Sequence, residues 1–242
     1  MLARLLLALL LVLVASPAWA AIAVVDAEQN YDEVDANTTV TTTSITVSGS
    51  NTYILCHAGA RSTAITTVTS VQWDPGGSNQ ALTQITGGVN SFNTSELWGL
   101  KNPTAGTLSA TATFDAAVGA NGSMALTCVT FSGVDQTTPL GTAASQADGT
   151  DPMEVVVSSA VDEMVVAGVT GDCSAAYVSG DTSQKTVRTT ENNHCHAVAT
   201  AAGAASVTMD WTNTGGASFL KGVPLKPAAA TTSVPRRRAF SW

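Results

Sequence analysis

From residue 21 onward the apolar residues of this chain recur with a period of two, and no stretch shows the period of a helix. Thr107 to Phe114 sets Leu108, Ala110, Ala112 and Phe114 on one side and Thr111 and Thr113 on the other, and in Val207 to Thr212 the residues Val207, Met209 and Trp211 alternate with Thr208, Asp210 and Thr212. Successive side chains of an extended strand point to opposite faces, so this alternation predicts strands with one covered face. Further strands are predicted over 39–47, 52–58, 64–73, 81–86, 96–101, 123–132, 153–159, 163–171, 195–200 and 217–226. Turn clusters such as Asp74-Pro75-Gly76-Gly77, Asn102-Pro103 and Gly215-Gly216 separate them. Roughly a dozen strands at this spacing predict an all-β fold, two antiparallel sheets packed as a sandwich. No internal repeat stands out in the sequence.

The first twenty residues read differently. One early charge, Arg4, precedes an unbroken apolar run from Leu5 to Ala15, then Ser16-Pro17-Ala18-Trp19-Ala20. Small residues at Ala18 and Ala20 fit a signal peptidase, so a cleavable, helical signal over 1–20 is expected. The run is shorter than the roughly 20 residues of a membrane span, and no later stretch approaches one. The expected organisation is a signal at 1–20, one sandwich domain at 21–227, and an Ala/Thr/Pro linker with a basic tail at 228–242. The expected location is secreted, extracellular or periplasmic.

Composition narrows the partners. After Ala20 there are nine Lys and Arg against eighteen Asp and Glu, a formal charge of −9, and three of the nine are Arg236 to Arg238 in the tail. So acidic a body is a poor partner for nucleic acid. Charged residues are only 12% of the chain, and the abundance of Thr and Val favours pleated strands. Cys56, Cys128, Cys173 and Cys195 are an even set in an exported chain, without CxxC spacing, so disulfides are expected. Of the three pairings four cysteines allow, Cys56 with Cys128 and Cys173 with Cys195 keeps each bridge within one half of the chain.

Several segments together resemble a family of uncharacterised β-sandwich modules of secreted bacterial and phage-associated proteins. They are Val68 to Trp73 leading to Ala81-Leu82-Thr83, Glu96 to Pro103, Phe131 to Leu140, and Ser206 to Thr212 closing at Leu225-Lys226-Pro227. The resemblance implies a concanavalin-like or jelly-roll sandwich and brings no catalytic residues with it. The cysteines and the His-Cys-His run depart from its pattern.

Candidate chemistry is sparse. A glycoside hydrolase needs two carboxylates across a cleft, and only Glu96, sharing a strand face with Trp98 and Leu100, offers even one. No Gly-x-Ser-x-Gly elbow exists. In Glu191-Asn192-Asn193-His194-Cys195-His196, His194 and His196 share a strand face, an arrangement suited to zinc or copper if Asp172 or Glu191 supplied a third ligand. Asp148 and Asp151 are candidates for a loop calcium. Trp73 and Trp98 are the candidate rings for stacking an extracellular glycan or cell-surface polymer. With no catalytic constellation, the expectation is a non-catalytic structural or adhesive module. Carbohydrate binding stands second, metal binding or glycan chemistry third.

Overall fold

The computed structural model describes residues 21–32, 36–62, 66–89, 93–119, 122–148, 151–172, 178–179, 182–188, 194–212 and 218–229; the side chains of 148, 178–179 and 182–188 are not among those described. The expected signal helix and nearly all of the tail lie outside these residues. The described chain is all-β, with only antiparallel pairing.

Eleven strands make the first half: β1 (Ala23–Asp32), β2 (Thr39–Thr41), β3 (Ile45–Val47), β4 (Tyr53–Arg61), β5 (Val68–Trp73), β6 (Gln80–Ala81), β7 (Thr83–Val89), β8 (Asn93–Lys101), β9 (Gly106–Leu108), β10 (Ala110–Phe114) and β11 (Ser123–Ser132). The second half has eight: β12 (Ala144–Asp148), β13 (Met153–Val157), β14 (Met164–Asp172), β15 (Val178–Ser179), β16 (Thr182–Arg188), β17 (His194–Ala202), β18 (Val207–Thr212) and β19 (Ser218–Leu225).

Antiparallel sandwich packing is as expected, but there are more than two sheets. In the first half a five-stranded sheet, β1-β11-β4-β8-β7, packs on a smaller one, β2-β10-β5-β6, with the β3-β9 pair against the same core. In the second half β12-β19-β14-β17-β16 packs on β13-β18-β15. The two five-stranded sheets then pack face to face, joined by a third apolar cluster drawn from Tyr53, Leu55, Leu97, Val129, Phe131, Val166, Val198, Val223 and Leu225. The result is four layers, with the large sheets inside and the small ones outside.

This layering explains the side-chain patterns. The outer strands β10, β13 and β18 alternate between buried and open positions, because only one face is covered. In β4, β8, β11, β14 and β17 nearly every residue is buried, because neighbouring layers cover both faces. The sequences of β11 and β14 are accordingly near-continuous runs of apolar and small residues, while β4, β8 and β17 interrupt such runs with buried polar groups.

The order of strands repeats. Numbering β2 with β3 and β9 with β10 as single strands and setting the short β6 aside, each half runs through the same eight positions. Position by position, β1, β11, β4, β8 and β7 correspond to β12, β19, β14, β17 and β16. The small sheets correspond as well, β2-β10-β5 with β13-β18-β15. The molecule is therefore a tandem pair of sandwiches. From the ladder registers, Arg61 corresponds to Asp172, His57 to Gly168 and Ser95 to His196.

Cys56 and Cys128 are directly opposite on β4 and β11 and form a disulfide within one sheet, facing the first core. Such a bond implies an oxidising compartment. Cys195 is also in a disulfide; its expected partner, Cys173, lies outside the described residues.

Candidate functional site

The polar chemistry of the described residues gathers between the two inner sheets. One end of that face is the apolar cluster around Tyr53, Phe131 and Leu225. Toward the other end, inward positions of β4, β8 and β11 become His57, Gly59, Arg61, Ser95 and Ser123. Those of β14, β17 and β19 become Gly168, Thr170, Asp172, His196, His194 and Lys221. The chain has only three histidines, and the fold brings all three to this face, fully buried.

His57 and His196 stack with centroids 4.2 Å apart and planes 13° from parallel, and His194 stands edge-on to His196 at 6.2 Å. Hydroxyls meet every ring: Ser95 Oγ lies 2.8 Å and Thr170 Oγ1 3.5 Å from His57 Nε2, Thr170 Oγ1 3.0 Å from His196 Nδ1, and Ser123 Oγ 2.6 Å from His194 Nδ1. Among the described residues His57 Nδ1 and His196 Nε2 are buried with no hydrogen-bond partner. Glycine makes the close approach fit: a Cβ at Gly168 would enter the His57 ring, and one at Gly59 would strike Thr170 and His196.

Burial holds His57 and His194 near pKa 3, aided at His57 by the His194 ring and then by Lys221, and at His194 by Arg61. His196 is likewise pushed well below its usual value by burial and by the other two rings. All three are neutral near pH 7, since a charged imidazole here would lose its hydration with little return. Lys221, also buried, sets its amine 4.0 Å from the centroid of the Phe219 ring, a cation–π contact. Burial lowers its pKa, and Glu96 opposes the shift. At the far end Arg61 forms an ion pair with Asp172.

The histidines anticipated from sequence, His194 and His196, do share a face of β17. The unforeseen partner is His57, which only the sheet-on-sheet packing brings to them. The arrangement does not resemble a metal centre: stacked rings send their in-plane lone pairs in parallel directions, and among the described residues no three His, Cys, Asp or Glu are placed to hold a cation. Of the anticipated third ligands, Asp172 engages Arg61 and Glu191 lies outside the described residues. The same is true of the Asp148 side chain considered for calcium.

Trp73 is fully buried and donates Nε1–H to the Thr104 carbonyl at 3.0 Å; Trp98 is 8% exposed and donates to Glu96 Oε2 at 3.1 Å. Both rings belong to the first core, which leaves no face for a sugar to stack on. Alternation along β5 aims Trp73 inward from the outer sheet, and alternation along β8 aims Trp98 outward from the large sheet, so both enter the core between them. Glu96 is buried as well and accepts further hydrogen bonds from Val68 N–H and Gln84 Nε2. Burial raises its pKa against those bonds, and the carboxyl faces the first core, 3% exposed.

What reaches solvent is of another kind. Outward positions of the first small sheet carry Thr39, Thr41, Thr69, Ser70, Gln72, Thr111 and Thr113, with the hydroxyls of Thr41 and Thr111 2.8 Å apart across neighbouring strands. No protein-family model matches this chain, and no curated protein matches it.

Proposed function

We propose that the chain is an exported, non-catalytic structural or adhesive module that works outside the cytoplasm. The observation that carries the reading is where the fold puts its reactive groups. Among the described residues the histidines, Ser95, Ser123, Lys221 and Glu96 are closed between sheets, while solvent meets hydroxyl-lined sheet faces and loops. A site that turns over substrate needs a path to its acid, base or nucleophile. A module that holds a shape and touches a surface does not. The disulfide at Cys56–Cys128 and the signal-like segment at 1–20 fit service in an oxidising space outside the membrane.

The finer fold assignment belongs to the same reading. Within each half the strand order is 1-8-3-6 in the large sheet, with the fifth strand added at its edge, and 2-7-4 in the small one. That order supports a jelly roll whose fifth strand has moved to the larger sheet, in keeping with the secreted sandwich modules the sequence resembles.

Two measurements test the function. Expression in a Gram-negative host followed by fractionation is expected to yield a mature chain beginning at Ala21 outside the cytoplasm. Labelled protein is then expected to be retained on insoluble cell-wall polysaccharide or on whole cells, and lysines placed at Thr41, Thr111 and Thr113 to reduce retention several-fold. Retention unchanged by those lysines would remove the small sheet as the contact face. Hydrolysis of the polymer, abolished in Glu96→Gln, would replace the structural reading with an enzymatic one.

A further inference from the structure

We propose that the polar end of the face between the two halves is an acid-operated latch, with the connection from Gly133 to Ala143 as its hinge. The face is graded along its length. Its apolar end lies beside that connection, which is tied to the second half by bridges from Val134 to Pro227 and from Leu140 to Leu225. Its far end holds the three histidines and the Arg61–Asp172 pair. An opening motion that starts at the far end therefore parts the polar contacts first and keeps the apolar ones and the connection.

The latch closes only with neutral rings. The groups facing the stack are Arg61 from β4, Asp172 from β14 and Lys221 from β19, while β11 contributes the uncharged Ser123 and Thr127. Glu96 of β8 points to the opposite side of its sheet, and the side chains of β16 are not among those described. Asp172 is engaged by Arg61, so the nearby fixed charges leave a net positive surrounding. Protonating both His57 and His196 would set two positive charges on parallel rings 4.2 Å apart, and protonating either one alone sets a desolvated cation near Lys221 and Arg61. Cations that close in a dry interior repel strongly, and hydration relieves them only when the face opens. Burial and these neighbours hold the closed-state pKa of His57 and of His194 near 3. An opened face restores values near the ordinary 6.5.

The sign follows from that difference. Above about pH 6.5 the latch keeps its full strength. As the pH falls from there toward 3, His57 and His194 each favour the open state tenfold per pH unit, about a hundredfold together, and His196, also pushed well below its ordinary value by burial and by the other two rings, adds to the shift in the same direction. Three tryptophans offer an internal control, because Trp73 and Trp98 sit in the core of the first half and Trp211 in that of the second, away from this face; a Trp242→Phe background removes the fourth tryptophan of the mature chain from the emission.

The test uses the mature chain between pH 7 and pH 4, followed by small-angle scattering and tryptophan emission together. The expected result is an increase in radius of gyration below pH 6 with no red shift in emission. His196→Asn is expected to reduce the proton dependence of opening to that of His57 and His194, about a hundredfold shift per pH unit, whatever it does to stability at pH 7. Expansion that coincides with a red shift would overturn the latch in favour of whole-chain unfolding. A native-state histidine NMR titration with all midpoints near 6.5 would overturn it too, as would a constant radius down to pH 4.

Discussion

At the residue scale, the inner face is governed by matched sizes. His57 lies over Gly168, and Thr170 with His196 over Gly59, so each bulky group occupies space that a missing side chain leaves. Gly168→Ala is therefore expected to force the sheets apart locally and to destabilise the protein by about 1–3 kcal/mol, the usual cost of overpacking. Gly76→Ala, where an added Cβ meets nothing within 4 Å, is the control and should be close to neutral. Denaturant midpoints at pH 7.5 for the two variants check this, and equal midpoints would remove the steric argument. From sequence, the shared face of His194 and His196 was legible because strand geometry is local. His57 was not, since nothing between residues 57 and 194 indicates which sheet covers which. The tryptophans mislead for a related reason: Trp73 precedes a turn, a position that suggests exposure, yet it faces inward from the small sheet and is covered by the core beneath.

At the scale of elements, the strands that alternate cleanly were read well. The observed β18 has the bounds expected from alternation, and so does β11. The expected strand over 107–114 is broken at Ser109 into β9 and β10, which pair with different partners. β1 went unread because its sequence, Ala-Val-Val-Asp-Ala-Glu-Gln-Asn-Tyr-Asp, mixes polar groups into both faces of a half-covered edge strand. Pairing β1 with β11 and β11 with β4 brings ends of the first half together, and the Cys56–Cys128 bond locks the second of these ladders. It closes a loop of 72 residues, so replacing both cysteines by alanine is expected to cost about 4 kcal/mol through the unfolded chain's regained freedom. Thermal unfolding of the double variant checks the value. A loss well under 1 kcal/mol would mean that the β4–β11 ladder holds without its bridge.

At the scale of the whole molecule, the tandem repeat is plain in strand order and invisible in sequence, and the packing supplies the reason. Equivalent positions of β4 and β14 face each other, so they cannot carry the same residue. His57 against a second histidine would collide, and Arg61 against a second arginine would repel. A duplicated chain packed this way must diverge into complementary pairs, which erases the repeat where it would be easiest to see. The two-sheet expectation failed for the same reason. Alternation reports whether one face of a strand is covered, and only the near-continuous runs of apolar and small residues in β11 and β14 signal that both faces are.

The pseudo-symmetry makes a prediction of its own at the Arg61–Asp172 pair. Because the two positions correspond, exchanging their residues should rebuild the same ion pair with its polarity reversed. Arg61→Asp alone sets two carboxylates against each other, and Asp172→Arg alone two guanidinium groups. The side chains are 26% and 31% exposed, so solvent screening limits each single change to about 1 kcal/mol. The double exchange is expected to recover most of that loss, a coupling that urea midpoints of the four proteins measure directly. Raising the salt concentration should shrink the coupling, since partly exposed charges are screened within a Debye length. If the double variant instead loses as much as the two single changes added together, the environments of Arg61 and Asp172 are not interchangeable. The two halves would then share strand order without sharing a symmetric face.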